Sequence, residues 1–288
     1  MQLASVFKDP PPAYAFELSQ AGIASADMAK TPQIEFHPLT PGTILVSPLR
    51  DNILMPDELA AAVRGLTPAN GNRRRRDMAL ILPDYCARVA VLDFDSFPTD
   101  AKEQLSLVRF RMKKSVPFDL EAAAVGYWAQ PVAGGKVDVV AAVVPIEIVA
   151  RYEAPFRAVG MNPGFVTTSA LAMLQLVDAK QVTVIAKLSG GVLTLMVLSG
   201  GVVKLIRCLE LGDVASDLYP TFAYVEDQLG VKAEMLLLCG FGATFEQSQS
   251  QFYKDLGIPV EALQSPLGVP GEANAGLLGY LQGAKATR

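Results

Sequence analysis

The sequence predicts an α/β protein of two halves, each built from a βββαβα unit, with a small α+β subdomain inserted into the first. Three observations carry this expectation. The apolar periods run meander, helix, strand, helix, and then repeat in the same order. The stretch VTVIAKLSGGVLTLMVLSGG, from Val182 to Gly201, joins apolar strands through the glycine pairs Gly190-Gly191 and Gly200-Gly201. A strand–helix–strand–strand piece, about Asp84 to Val144, interrupts the first copy. The boundaries that follow are 1–83 for the first part of the first half, 84–145 for the insertion, 146–180 for its second part, and 181–288 for the second half.

Taken in order, Tyr14 to Leu18, Gly22 to Ala29 and Gln33 to His37 read as a meander, and Ile44 to Ser47 as a further short strand. MPDELAAAVRGL places Leu59, Val63 and Leu66 on one helical face, with Pro56, Asp57 and Glu58 suited to its first turn. Met78 to Leu82 is a buried strand and Arg88 to Phe94 an alternating one. Thr99 to Ser115 is a helix with Ala101, Leu105, Val108 and Met112 inward, ended by Pro117. Ala124 to Gln130 is extended, and Val137 to Val144 is a near-continuous buried strand. A helix over Ile148 to Gly160 contains Pro155, and a strand and a helix follow over Gly164 to Thr168 and Ser169 to Val177.

In the second copy, Val202 to Glu210 is the third strand of the meander. A helix over Asp213 to Leu229 must kink or restart at Pro220. Glu234 to Leu238 feeds CGFGATFEQ, where Thr244 and Gln247 match a capping box. Ile258 to Leu263 is a last strand and Gly271 to Gly283 a last helix.

Composition narrows the chemistry. Of 288 residues, 51% are hydrophobic and 19% charged, which demands a sizeable core and excludes wholesale disorder. A net charge of −4 gives no sign of nucleic-acid binding. The one basic cluster, Arg73 to Arg76, reads as a solvated loop, with anionic lipid or a partner as the alternative contact. Cys86, Cys208 and Cys239 sit far apart in apolar stretches and read as buried free thiols, and without a CxxC pair no structural zinc site is expected. The opening MQLASVFKDPPPAYAF lacks the apolar core of a signal peptide, and the apolar windows stop at Pro145 and Lys187, short of the roughly 20 residues a spanning helix needs. The expectation is a soluble, cytoplasmic chain with no membrane span.

His37 is the sole histidine, which removes two-histidine metal sites and leaves a Ser-His-Asp triad only if His37 is its base. No nucleophile elbow GxSxG and no GxxxxGK[ST] loop occurs. A glycine turn between strands can wrap backbone N–H groups round a phosphate, yet the glycine pair at 190–191 follows Lys187 and no acid lies between Val182 and Gly201. CGFGAT holds one GxG between a strand and a helix, which suits close backbone approach to a ligand and equally a plain helix-starting turn.

Several stretches resemble the PilM family of type IV pilus assembly proteins, in the actin-like (ribonuclease H-like) ATPase superfamily. MKKSVPFDLEAAAVGYWAQP is similar to that family's helix–Ile-Pro-Phe–acidic–Tyr segment. VDVVAAVVPIEIVARYEAPFRAVGMNPGFVTTSALAMLQLV resembles its strand–Pro-x-Glu-x-Val–helix–Ala-Gly-Leu-x-Pro stretch. LCGFGATFEQSQSQFYKDLGIPVEAL is similar to its glycine-rich adenosine segment followed by Leu-Gly-Ile-Pro-Val, and GTILVSPLRDNILMPDELAAAVRGL also fits. The likeness covers nearly the whole chain.

The resemblance implies an actin-like fold and departs where phosphate chemistry belongs. Against the first phosphate loop, Asp-Ile-Gly-Ser-Ser-Ser-x-Lys, ELSQAGIA puts Glu17 for Asp, Ser19 for Gly and Ala24 for Lys. Against the second, Asp-Ile-Gly, KLSGG puts Lys187 for Asp and Ser189 for Gly, followed by Gly190. The adenosine-side loop keeps Gly240 and Gly242. An acid in the second loop would orient Mg²⁺ or water, which a lysine does not do; Lys187 would instead pair with phosphate as a point charge or point to solvent. The reading is a pseudo-ATPase without Mg²⁺ held by carboxylates, and ATP binding is not favoured.

The implied role is a scaffold holding the cytoplasmic tail of a PilN-like inner-membrane partner. The implied groove lies between the insertion and the first half, near Val116, Pro117 and Phe118 and the strand Val137 to Val144. Motor or platform proteins of the pilus machine are further implied partners, and recruitment to the inner membrane would follow from the partner. Two alternatives stay open. One is a cytoplasmic subunit of a type II secretion system. The other is an active ATPase or sugar-kinase relative in which Glu17 and Asp213 handle metal and water, against the plainer reading of both as surface or cap carboxylates.

Overall fold

The structure is a computed structural model that describes residues 11–28, 33–67, 76–178 and 180–286. Of the basic run, Arg73, Arg74 and Arg75 lie outside the described residues; Arg76 stacks its guanidinium 5.7 Å from the centre of the Tyr14 ring.

In chain order the elements are β1 (Tyr14–Leu18), β2 (Gly22–Asp27), β3 (Ile34–Pro38), α1 (Pro56–Leu66), β4 (Arg76–Leu82) and β5 (Arg88–Phe94). Then come α2 (Ala101–Met112), β6 (Ala123–Pro131), β7 (Val137–Pro145), α3 (Ile146–Ala158), β8 (Met161–Thr168) and α4 (Ser169–Met173). The rest are β9 (Thr183–Ser189), β10 (Val192–Ser199), β11 (Val202–Glu210), α5 (Val214–Leu229), β12 (Met235–Cys239), α6 (Phe245–Leu256), β13 (Val260–Ala262) and α7 (Ala275–Ala286).

These elements form two compact units. One takes residues Gln2–Cys86, Glu147–Val177 and Gln264–Arg288, and the other takes Ala87–Ile146 and Asp178–Leu263.

The first unit holds a five-stranded sheet in the order β3-β2-β1-β4-β8. The meander β1–β2–β3 is antiparallel, and β4 and β8 run parallel to β1. One face packs Ala15, Ala24, Ala79 and Ile81 against Leu277, Tyr280 and Leu281 of α7. Phe16 meets Phe156 of α3, ring centres 5.0 Å apart. Small alanines on the strands let α7 approach closely. α1 is anchored by buried Leu59, Ala62 and Val63, with Asp57 and Glu58 in its first turn and Arg64 in its last, in keeping with the helix dipole.

The second unit repeats the pattern in a sheet ordered β11-β10-β9-β12-β13, with β12 and β13 parallel to β9. Val184, Ala186, Leu236 and Leu238 form one face and pack with Leu218 and Val225 of α5 and Phe252 of α6. The same unit carries an antiparallel sheet, β5-β7-β6, whose Val139, Ala141 and Val143 pack with Val108 and Met112 of α2. Asp100 starts α2 by accepting from the N–H groups of Lys102 and Glu103, both at 3.0 Å. This small sheet joins the second one along β11. Gln130 of β6 exchanges two hydrogen bonds with the Val203 backbone, and Lys204 pairs with Asp138 at 2.6 Å.

Two local expectations change and a third is narrowed. Ile44 to Ser47 is no strand; it makes a single bridge, Ile44 to Ile53, because the loop is held instead by Asn52, which donates to the Ser47 and Arg50 carbonyls at 2.7 Å each. Of the two outcomes expected at Pro220, α5 does not restart there but runs on as one element. The capping box at Thr244 does not form: that residue already has helical backbone angles, leaving a short 3-10 turn over Gly242–Thr244, and its hydroxyl donates to the Phe241 carbonyl at 2.7 Å.

Candidate functional site

Glu17 and Ser19 lie at the carboxyl end of β1. Ser19 closes the β1–β2 turn: its N–H and Oγ donate to the Gly22 carbonyl at 2.9 and 3.0 Å, and the Gly22 N–H donates back to Oγ at 3.2 Å. Gly22 must be glycine here, since a Cβ would sit 2.3 Å from the His37 carbonyl oxygen. The turn that resembles the first phosphate loop is thus a tight hairpin end tied by a serine.

Glu17 is 1% exposed. Its Oε1 accepts from Ser169 Oγ at the start of α4, and its Oε2 accepts from the Leu277 N–H in the first turn of α7 at 2.6 Å. Both oxygens therefore hold helix starts, where a negative charge is favoured. Asp84, just past β4, does the same for α4 by accepting from the Ala170 N–H at 2.6 Å. Sequence reading passed over Asp84 as a site residue; the available signal was a lone acid straight after the apolar run MALILP.

Lys187, Ser189, Gly190, Gly240 and Gly242 gather at one end of the second sheet. β9 and β12 run parallel with Lys187 beside Cys239, so the β9–β10 turn and the turn after β12 share that end. Gly190 and Gly191 have φ of 55° and 77°, and Ser189 pairs directly with Val192. This is a two-residue hairpin with both central residues left-handed, the geometry that favours glycine pairs. Gly200 and Gly201 repeat it between β10 and β11. Gly240 and Gly242 also have positive φ, and a Cβ at Gly242 would meet nothing within 4 Å.

Lys187 is 1% exposed, which removes the option of a side chain in solvent. Its register partners are Thr194 on β10 and Cys239 on β12. Thr194 in turn pairs with Cys208, with Oγ1 and Sγ 3.4 Å apart. A row Cys208–Thr194–Lys187–Cys239 thus crosses the sheet from β11 to β12. Among the described residues no group of three or more His, Cys, Asp or Glu side chains is placed to hold a metal ion. Asp213, the other acid weighed for metal chemistry, caps α5 by accepting from the Ser216 N–H and hydroxyl, which holds its carboxyl below the usual range.

Val116 and Phe118 are half-buried and pack under the core of the small sheet, and Pro117 is exposed. Arg109 fixes the following turn by donating to the Leu120 carbonyl at 2.7 Å. The strand expected beside them, Val137 to Val144, is part of β7, which is central in its sheet and paired on both sides, so it offers no free edge; β5 and β6 are the outer strands. The indole N–H of Trp128 on β6 has no hydrogen-bond partner among the described residues.

Paired five-stranded sheets of this order, each with a parallel extension of an antiparallel meander, define the actin-like fold, and solved structures agree. The chain is similar to the protein in the PilM–PilN type IV pilus biogenesis complex, with a TM-score of 0.76 at 15% identity over 97% of this chain and 100% of that one. A Bacteroides thetaiotaomicron protein of actin-like ATPase fold and unknown function gives 0.59 at 12% identity, over 95% and 96%. The cytoplasmic domain of EpsL, an inner membrane component of the Vibrio cholerae type II secretion system, gives 0.52 at 12% identity, over 96% and 95%. No protein-family model and no curated protein matches the sequence. Among the described residues no helix is long and apolar enough to cross a membrane.

Proposed function

We propose that the chain is a cytoplasmic, actin-like scaffold of type IV pilus assembly that grips the tail of a PilN-like inner-membrane protein and does not hydrolyse ATP. The observation that carries the reading is Lys187, buried at the position where the resemblance implies the second-loop acid. Glu17 supports it, because both its oxygens serve helix starts. The PilM–PilN complex, similar in fold over 97% of the chain, favours a partner of that kind. On this reading the tail adds to the edge of β6, main-chain bonds give affinity, and Trp128 and Phe118 beside it give specificity. Recruitment to the inner membrane follows from the partner.

Two measurements test it. Titration of synthetic partner tails should show binding that Phe118→Ala weakens; no binding by any tail ends the reading. ATP with Mg²⁺ should leave the unfolding midpoint unchanged, whereas ligand at 100 times its Kd would add about 2.7 kcal/mol. Phosphate release abolished by Glu17→Ala would establish an enzyme instead.

A further inference from the structure

β3 is the outer strand of the first sheet, and Glu35, Phe36, His37 and Pro38 are all exposed on it. Its hydrogen-bonding sides are fixed. The Leu39 N–H donates to the Ala21 carbonyl at 3.0 Å, and the register sets Ile23 opposite His37 and Ser25 opposite Glu35. Backbone groups alternate sides along an antiparallel strand. Those of Glu35 and His37 therefore turn to β2, and those of Ile34, Phe36 and Pro38 turn outward. Among the described residues nothing bonds to these outward groups. Phe36 is 50% exposed, and its ring lies across Gly22, where a Cβ would come within 2.8 Å of Cζ.

We propose that two copies of the chain pair through β3, antiparallel about a twofold axis at Phe36. The strand Ile34-Glu35-Phe36-His37-Pro38 is self-complementary about its middle residue. Phe36 and the partner's Phe36 exchange both their N–H···O bonds. Each Ile34 N–H donates to the partner's Pro38 carbonyl, and Pro38, which has no N–H, ends the ladder there. Glu35 falls directly opposite the partner's His37, in the pair geometry where side chains are closest, and its carboxylate accepts from the imidazole.

The neighbouring registers that keep the outward groups paired are worse. One sets Glu35 against the partner's Glu35, and the other sets His37 against the partner's His37. Charge complementarity thus selects both the occupant, a second copy, and its alignment. Five residues a side make an interface well below the roughly 1,000 Å² of stable complexes, so the dimer is weak and concentration-dependent. This inference is independent of the proposed function.

The test uses the full chain. A Glu35→Cys chain mixed with a His37→Cys chain should form a mixed disulfide under mild oxidation. The two positions face each other with Cα atoms about 4.5 Å apart, within reach of a disulfide. Neither variant alone should cross-link above the unchanged chain. Sedimentation equilibrium should show a reversible dimer whose dissociation constant rises roughly tenfold or more in His37→Glu and recovers when Glu35→His is added. Absence of the mixed cross-link, cross-linking of a single variant, or indifference of the dimer to His37→Glu overturns the proposal. So does a chain that stays monomeric at every concentration while β3 takes up an extended peptide of another protein.

Discussion

Glu17 and Leu277 stand 260 residues apart in the sequence, and the Glu17 carboxylate accepts the Leu277 N–H at 2.6 Å. With Ser169 on its other oxygen, one side chain ties β1 to the starts of α4 and α7. Glu17→Ala leaves the Leu277 N–H and the Ser169 hydroxyl buried with an acceptor lost, and should cost about 2–4 kcal/mol. Glu17→Gln keeps one acceptor and should cost less. The urea midpoint reads both; an unchanged midpoint in Glu17→Ala would mean the carboxylate holds neither helix.

α7 meets α4 backbone to backbone. A Cβ at Gly279 would lie 2.2 Å from the Ala172 carbonyl oxygen, whereas the atoms nearest to one at Gly283 belong to the flexible Gln175 side chain, at 3.1 Å. Gly279→Ala should therefore lower stability by about 1–3 kcal/mol. Gly283→Ala should be neutral, or gain up to about 1 kcal/mol from helix propensity. Equal thermal shifts in the two variants would refute this packing.

Burial pushes the Tyr152 hydroxyl well above its usual range, with Cys86 and Asp51 adding to the effect. The neutral phenol donates to Asn52 Oδ1 at 3.0 Å. A folded pKa raised above the unfolded value gives stability that is full below the ordinary tyrosine pKa of 10.0 and is lost as pH rises beyond it. The urea midpoint should fall steeply above about pH 10 in the unchanged chain. Tyr152→Phe should lose about 1 kcal/mol near neutral pH and show a shallower alkaline decline. Parallel slopes in the two proteins would contradict the assignment.

Gln130, 1% exposed, donates to the Val203 carbonyl at 3.1 Å and accepts its N–H at 3.0 Å. Gln130→Leu strands two buried backbone groups on β11 and should cost about 2–3 kcal/mol. Hydrogen exchange at the Val203 amide should accelerate in the variant. Unaltered protection there would show that the small sheet is held to β11 by other contacts.

What the sequence revealed follows from the range of each interaction. Alternation placed β5, because a strand's two faces are written in consecutive residues, and glycine-marked turns bounded β1 and β11. The glycine pairs announced both hairpins, because their backbone angles suit little else. Distant partners left no such mark. Chain order groups α7 with the second repeat, while its contacts lie on the first sheet, with Ile81, Ser169 and Ala172. Glu17 reads from the sequence as a surface or cap carboxylate or as a displaced metal ligand, and nothing near it in the chain points to Leu277 as its partner. The capping pattern at Thr244 was overridden by a 3-10 turn three residues long. In the candidate site the glycine turns were legible, but the burial of Lys187 was not, since a lysine in an apolar run carries no sign of which neighbours enclose it.

The attachment of α7 to β1 also sets an order for vectorial synthesis. β1, β2 and β4 leave the ribosome well before α7, and the Leu277 amide that the Glu17 carboxylate binds is made 260 residues after Glu17 itself. Between them, the strands β9–β13 and helices α5 and α6 of the other unit are all translated. During that interval the alanine face of the first sheet lacks Leu277, Tyr280 and Leu281, the side chains that later cover it. The nascent chain therefore presents a small-residue apolar surface until α7 is made, the kind of transient surface that chaperones bind.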